Sequence, residues 1–194
     1  MKLSMDLASA SSPAWLEAVL ADFDSFLQDH ANCERKASAM AMHFVAKYPD
    51  REKMIPELIE TAIEELEHFQ QVYQIMVGRG VPLPHKIGPD PYAGQLMDLC
   101  RTNTRDRFLD RLVVASVVET RGAERFRLIA DNLEDPELKK FYKMFWTSEA
   151  KHGHIFVKFA LWYFEESEVY DRLGYFIEKE AEILAGLEIR SALH

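Results

Sequence analysis

The sequence predicts an all-α fold, a bundle of four long helices with shorter helices around it. Three observations support this fold class. Apolar residues recur with the period of a helix in four long segments, and a proline-rich connection at residues 80–104 separates the second segment from the third. No segment alternates apolar and polar residues as a half-buried strand does. All 194 residues are therefore expected to form a single helical domain, residues 1–194.

Three accessory helices accompany the four long bundle helices: one before the first, one between the second and third, and one after the fourth. We expect the bundle helices at about residues 24–47, 54–78, 106–131 and 136–166. We expect the accessory helices at about residues 13–20, 92–101 and 169–187.

Proline and glycine mark the helix boundaries in the first half of the chain. Pro13 stands at a first-turn position and opens the first accessory helix. Tyr48-Pro49-Asp50 ends the first bundle helix, because the residue before a proline disfavours helix. The second bundle helix has an ambiguous start, since Pro56 lies inside its pattern, and it ends at Gly78-Arg79-Gly80.

The second half begins after a connection that is too long for a tight turn. Ferritin-like four-helix bundles have a long crossover between their second and third helices, and this connection is long enough to form it. The third bundle helix has Val118 and Glu119 near its middle. Asp135-Pro136-Glu137 predicts the start of the fourth, with a capping side chain, a proline and an acid in the first turn. An amphipathic helix closes the chain.

Acidic residues and histidines recur in the same order in both halves of the chain. A lone glutamate on one helix precedes a Glu-x-x-His pair on the next, by 31 residues in the first half and 30 in the second. The residues are Glu34, Glu65, His68, Glu119, Glu149 and His152. Positions i and i+3 share a helix face, so both members of a pair reach the same ion. This is the ligand set of the two-metal sites in ferritin-like bundles.

Four carboxylates and two imidazoles form a hard, anionic donor set, which suits iron or manganese better than structural zinc. The alternative is that these residues form surface ion pairs on acidic helices. Against that alternative, Glu34, Glu65 and Glu119 fall on apolar stripes, where an unpaired carboxylate costs several kcal/mol. His154 is interpreted as a non-ligand. His30, one turn before Glu34, either packs or contacts a ligand, and plain packing is favoured.

The composition limits the classes of function and the compartment. The formal charge of −9 argues against broad, non-specific binding of nucleic acid. No apolar run is long enough to cross a bilayer, and residues 1–14 lack the pattern of an export signal. Cys33 and Cys100 form no Cys-x-x-Cys motif. We therefore expect a cytoplasmic protein without a membrane partner.

Several stretches resemble the MiaE family of tRNA hydroxylases, and the resemblance covers nearly the whole chain. They are residues 30–36, 64–69, 110–115, 124–127 and 148–152. The resemblance implies a ferritin-like, non-haem di-iron monooxygenase. Such an enzyme hydroxylates the isopentenyl group of 2-methylthio-N6-isopentenyladenosine beside the anticodon of tRNA.

The resemblance also implies the cofactors and partners. Two iron ions, cycling between Fe2+ and Fe3+, would be held by the six residues above, with no catalytic side chain beyond them. The partners would be dioxygen, the anticodon stem-loop of tRNA and an external electron donor. The donor is expected to be a ferredoxin-like protein or a reductase, because the chain has no glycine-rich nucleotide-binding motif.

An arginine-rich stretch at residues 101–127 is a candidate for binding tRNA phosphates. The first candidates are Arg101, Arg105, Arg107 and Arg111, and further along the stretch are Arg121, Arg125 and Arg127. The alternative is a solvated helix face, because several of these arginines stand three residues from an acid.

Other functions remain compatible with the sequence. One is a ferritin-like protein that oxidises or stores iron with the same six ligands, and the amount of iron bound per chain distinguishes it from a catalyst. Another is a peroxide-reducing protein, although such proteins often carry a Cys-x-x-Cys module that this chain lacks. A third is a metal-free helical interaction module, which metal analysis of the purified protein distinguishes from the others.

Overall fold

The computed structural model describes residues 6–86 and 88–194. Seven α-helices and one 3₁₀ turn form the regular structure of these residues, and none of them is in a strand. In chain order the elements are α1 (Pro13–Ala21), α2 (Phe23–Lys47), the 3₁₀ turn (Glu52–Met54), α3 (Ile55–Arg79), α4 (Pro91–Asp98), α5 (Thr104–Asn132), α6 (Pro136–Tyr163) and α7 (Glu166–Gly186). Residues 1–5, part of the segment expected to lack an export signal, lie outside the described residues.

Three boundaries refine the sequence prediction. Pro56 lies in the first turn of α3, directly after the 3₁₀ turn, so its missing N–H costs no hydrogen bond. The helix in the crossover ends at Asp98 rather than near residue 101. The prediction that the fourth bundle helix reaches residue 166 is wrong by three residues. Phe164 and Glu165 are extended, and Glu165 is the N-cap of α7.

The chain divides into two compact units by its internal contacts. The α2–α3 unit contains Glu17–Gly88 and Arg190–Leu193. The α4–α7 unit contains Pro89–Ile189, His194 and the described N-terminal residues up to Leu16. The expectation of a single domain stays a prediction. Within the part of the chain that is described, no helix combines the length and the apolar character needed to cross a bilayer.

Buried aromatic and aliphatic side chains hold α2 and α3 together in the α2–α3 unit. They include Phe26, Leu27, Phe44, Leu58, Val72 and Met76. Asp22 caps α2 by accepting a hydrogen bond from the N–H of Ser25. Gly80 ends α3 with a φ of 71°, a left-handed conformation that glycine adopts without steric cost. These two features define the start of α2 and the end of α3.

A cluster of buried phenylalanines forms the core of the α4–α7 unit. It comprises Phe108, Phe126, Phe145, Phe156, Phe159 and Phe176. Helices α5 and α6 approach closely at Gly153, whose carbonyl accepts a hydrogen bond of 2.8 Å from Ser116 Oγ. A Cβ atom at position 153 would lie 2.9 Å from Thr120 Oγ1, so this approach requires glycine. The contact fixes α6 against α5 next to two of the predicted metal ligands.

A fully buried carboxylate, Asp110, joins the start of α5 to neighbouring segments. It accepts hydrogen bonds from the backbone N–H and the guanidinium of Arg101, and also from the guanidinium of Arg172 on α7. Burial raises the pKa of Asp110, but the hydrogen bonds from the two arginines outweigh it, and the pKa lies below its usual range.

Replacing Asp110 by asparagine is expected to destabilise the protein by about 1.5–3 kcal/mol at neutral pH, the value typical of hydrogen bonds to a charged group. Because the pKa of Asp110 is lowered in the folded state, its contribution is present above the unfolded pKa of roughly 3.9. The contribution is lost as pH falls below that value. Urea denaturation of both proteins between pH 3 and pH 7 tests this. The exposed Asp171→Asn variant is the control, and a difference that does not depend on pH would contradict the assignment.

Candidate metal centre

Three predicted ligands meet inside the α2–α3 unit. Glu34 on α2 and the pair Glu65 and His68 on α3 are buried, with exposed fractions of 3%, 1% and 4%. Each offers a ligand atom within 4.8 Å of the others. Nδ1 of His68 lies 3.4 Å from Oε2 of Glu34 and 3.3 Å from Oε2 of Glu65. We call these three residues the α2–α3 triad.

His30 contacts this triad, which corrects the expectation of plain packing. Its Nε2 atom lies 2.7 Å from Oε1 of Glu34, and the histidine is fully buried beside the ring of Phe26. A partner of this kind fixes the orientation of a ligand carboxylate. The spacing of four residues between His30 and Glu34 was the signal in the sequence, because positions i and i+4 are neighbours on a helix.

The other three predicted ligands meet inside the α4–α7 unit. Glu119 on α5 and the pair Glu149 and His152 on α6 are buried, with exposed fractions of 7%, 3% and 0%. Their ligand atoms also lie within 4.8 Å of one another. Nδ1 of His152 lies 3.4 Å from Oε2 of Glu149. We call these residues the α4–α7 triad. The close approach of α5 and α6 at Gly153 brings together the two helices that carry these three residues.

Each triad has the donor chemistry of half a two-metal site. Two carboxylates and one imidazole face one another within a buried space. Two ionised carboxylates at such a distance repel each other, and a divalent cation removes that repulsion. Oxygen and imidazole donors without a thiolate suit iron or manganese. The residues present therefore fit the metal that the sequence predicts.

Burial decides between the two interpretations of these acids. All six residues are buried, so the alternative of surface ion pairs on solvated helices is wrong for them. His154, which was predicted not to be a ligand, is exposed on α6 and belongs to neither group of ligand atoms.

Several arginines in the stretch at residues 101–127 contact carboxylates or carbonyl groups of the protein itself. Arg101 pairs with Asp110 and Asp106, and both guanidinium nitrogens of Arg105 lie 2.7 Å from the carboxylate of Glu168. Arg107 contacts the carbonyl of Arg101 at 3.5 Å. That Arg101, Arg105, Arg107 and Arg111 bind tRNA stays a prediction.

Two arginines further along this stretch are not surface residues. Arg121 and Arg125 are buried, so the expectation that they contact phosphates is wrong. The guanidinium of Arg125 lies 4.4 Å from the ring centre of Trp15 and donates a hydrogen bond to Ser11. Burial lowers the pKa of Arg125 to about 10, which leaves it charged at neutral pH.

The chain matches one protein-family model and two proteins of similar sequence. A family model described as tRNA-(MS2IO6A)-hydroxylase (MiaE) matches residues 2–194. The chain is 38% identical over 163 residues to a Pseudomonas putida protein named tRNA 2-(methylsulfanyl)-N(6)-isopentenyladenosine(37) hydroxylase, which is 84% of this chain and 78% of that one. It is 32% identical over 132 residues to a protein of the same name from Salmonella typhimurium. That match covers 68% of this chain and spans about half, 48%, of the Salmonella protein.

A solved structure shares the fold. It is described as protein 43 with aldehyde deformylating oxygenase activity from Synechococcus, with a TM-score of 0.91 and 31% sequence identity. The match covers 97% of this chain and 94% of the other. This likeness, with the helices described above, confirms the predicted fold class, an all-α ferritin-like architecture.

Proposed function

This chain belongs to the MiaE family, and from that premise we propose that it hydroxylates the isopentenyl side chain of 2-methylthio-N6-isopentenyladenosine next to the anticodon of tRNA. The match of the family model to residues 2–194 is the observation that carries this proposal. In the reaction a C–H bond of the prenyl group becomes C–OH. Dioxygen supplies the oxygen atom, and two electrons and two protons reduce the second oxygen atom to water.

The six residues of the two triads are proposed to hold two iron ions. The donor set supports this, because a glutamate from each of two helices and a Glu-x-x-His pair from each of two others is the set that di-iron bundles use. When bound, the iron would supply the activation of dioxygen, with electrons from an external donor. That donor is proposed to be a ferredoxin-like protein or a reductase.

The side chains of this chain supply position and exclude water. The four carboxylates would hold the ions through their oxygens and would offset the metal charge. His30 restrains one of them, Glu34, through the contact of 2.7 Å. Since all six ligands are buried, bulk water is kept from the reacting group. A tRNA substrate, together with the presence of Cys33 and Cys100 as thiols rather than as disulfides, supports a cytoplasmic location.

Storage of iron and reduction of peroxide are the alternative functions. Neither is favoured, because the similar proteins from Pseudomonas putida and Salmonella typhimurium are both named as tRNA hydroxylases. Iron content separates storage from hydroxylation: an enzyme with six ligands binds about two iron ions per chain, whereas a storage protein accumulates many more.

The test is a reaction with defined tRNA. The purified protein, loaded with Fe2+, is mixed with tRNA that carries 2-methylthio-N6-isopentenyladenosine, a chemical reductant and air. We expect mass spectrometry of the digested tRNA to show a nucleoside with one additional oxygen atom. The same tRNA without the prenyl group is the control. An iron-loaded protein that consumes dioxygen but leaves the nucleoside unchanged would contradict the substrate assignment.

A further inference from the structure

We propose that the exposed face of α6, with the pocket beside it, is the surface that binds the RNA of the substrate. This inference rests on the proposed function for the identity of the RNA. We define the α6 surface by Lys140, Lys143, Lys151, His154 and Lys158 on α6, together with Trp146 and with Arg127 from α5.

Basic residues gather on one side of α6. Lys140, Lys143, Lys151 and His154 are exposed, and Lys158 is half-buried. At 100° per residue these five positions fall within roughly 80° of the helix circumference and extend over about 27 Å. The buried ligands Glu149 and His152 point away from this side. Apart from Glu149, the acid of α6 is Glu137 in its first turn, against five lysines. In a chain with a net charge of −9, this helix is a local basic surface.

A pocket of about 350 Å³ borders these basic residues within the α4–α7 unit. Trp146, Ala150 and His154 of α6 line one side, and Thr120, Ala123 and Arg127 of α5 line another. Arg127 is exposed, and its guanidinium carbon lies 5.9 Å from the ring centre of Trp146. The pocket thus combines an aromatic ring with a cation, and it shares His154 with the basic side of α6.

Two acids, Glu124 and Asp6, also line this pocket. The carboxylate of Glu124 accepts hydrogen bonds from the backbone and hydroxyl of Ser11, at 3.0 and 2.8 Å, and pairs with Arg121 at 3.1 Å. It is therefore held by groups within the protein. Asp6 is exposed, and Arg127 in the same lining carries the opposite charge.

The combination of residues favours RNA over an acidic protein. Lysines spaced along a helix neutralise successive phosphates, which an acidic protein surface would also satisfy. An indole ring in a pocket of nucleotide size adds a stacking platform for an unpaired base, which is how single-stranded RNA is held. The anticodon loop offers unpaired bases close to the nucleoside that is modified. At the start of α5, Arg101 pairs with Asp110 and Arg105 pairs with Glu168.

The experiment compares charge reversal on the two surfaces. The variants are Lys143→Glu with Lys151→Glu, Trp146→Ala alone, and the matched pair Arg105→Glu with Arg107→Glu on α5. Fluorescence anisotropy measures the Kd of each for an anticodon stem-loop RNA at several salt concentrations. Circular dichroism and iron content verify that each variant is folded.

We expect the lysine double variant to weaken RNA binding by about tenfold or more and to lower the slope of log K against log salt by about 1.5–2. Trp146→Ala is expected to weaken binding by about tenfold with little change in slope, since stacking is not ionic. The α5 pair is expected to bind within about threefold of the wild type.

Three outcomes would overturn the inference. One is RNA binding unchanged in both α6 variants, and another is a loss of binding in the α5 pair alone. The third is unchanged RNA binding with a raised KM for a protein reductant, which would assign this surface to an acidic redox partner. Wild-type protein that binds the RNA through α6 but does not hydroxylate it would sink the proposed function and leave this inference standing.

Discussion

Replacing Glu65 by glutamine is expected to abolish tRNA hydroxylation and to lower the iron content below two ions per chain. Glutamine keeps the size of the side chain but removes the negative charge, and Glu65 is buried within ligand distance of Glu34 and His68. Loss of a mere hydrogen-bond partner of a ligand costs about 10–100-fold in metal affinity or activity. Loss of the ligand itself is therefore expected to cost more than about 100-fold. Elemental analysis and product formation measure the two effects.

The matched control for this variant lies two residues further along α3. Glu67 is exposed and carries the same charge, so Glu67→Gln is expected to keep both the iron and the activity. An iron content of two ions in Glu65→Gln would sink the ligand assignment. A second variant, Glu149→Gln in the α4–α7 triad, tests the other half of the proposed ligand set. It too is expected to abolish the product and to lower the iron content, and full iron content with full activity in this variant would contradict the assignment of Glu149.

The two buried clusters of glutamates and histidines were predictable because several constraints on the sequence agree. Glu34, Glu65 and Glu119 interrupt apolar stripes, and burial of these positions was expected from helical period alone. The order of lone glutamates and Glu-x-x-His pairs then predicted that these acids are metal ligands. Helix starts such as that of α6 were equally readable, since Asp135 accepts hydrogen bonds from the N–H groups of Glu137 and Leu138.

Ion pairs between residues far apart in the sequence were not predictable, because the residues around a charged side chain do not indicate which distant residue pairs with it. Arg121 stands three residues from Glu124 and resembles a residue of a solvated helix face. In the structure it is fully buried, and its main partner is Glu180, 59 residues away on α7. The same limit applies to the start of α5. There Arg101 pairs with Asp110 and Arg105 pairs with Glu168, and the pairing of Arg105 with a residue on α7 has no signal in the local sequence.

The environment of Arg121 predicts the largest effect on stability. Its Nε lies 2.7 Å from Oε1 of Glu180 and its Nη2 lies 2.9 Å from Oε2, a bidentate pair with both residues fully buried. The hydroxyl of Tyr92 donates a third hydrogen bond to Glu180, at 3.0 Å. Burial lowers the pKa of Arg121, but the hydrogen bond and charge of Glu180 outweigh it, and the pKa lies above its usual value. The arginine is therefore charged at every pH at which the protein folds.

Replacing Glu180 by glutamine leaves that charge buried with a weaker partner. We expect a loss of about 3–5 kcal/mol in the free energy of unfolding, the cost typical of removing one member of a buried ion pair. Urea denaturation monitored by circular dichroism measures it. Glu182→Gln, two residues along α7, is the control, because Glu182 is exposed and pairs only with the half-buried Lys179 among the ion pairs described. Little change is expected there.

A double variant separates the cost of an isolated charge from the worth of the pair. Arg121→Met with Glu180→Leu replaces both ions by apolar side chains of similar length. Because the two charges together lose much of their attraction to the cost of leaving water, the double variant is expected to recover most of the stability that Glu180→Gln loses. A double variant as unstable as Glu180→Gln would show that the pair itself, with the hydrogen bond from Tyr92, stabilises the α4–α7 unit. In that case the buried guanidinium would not be the source of the loss.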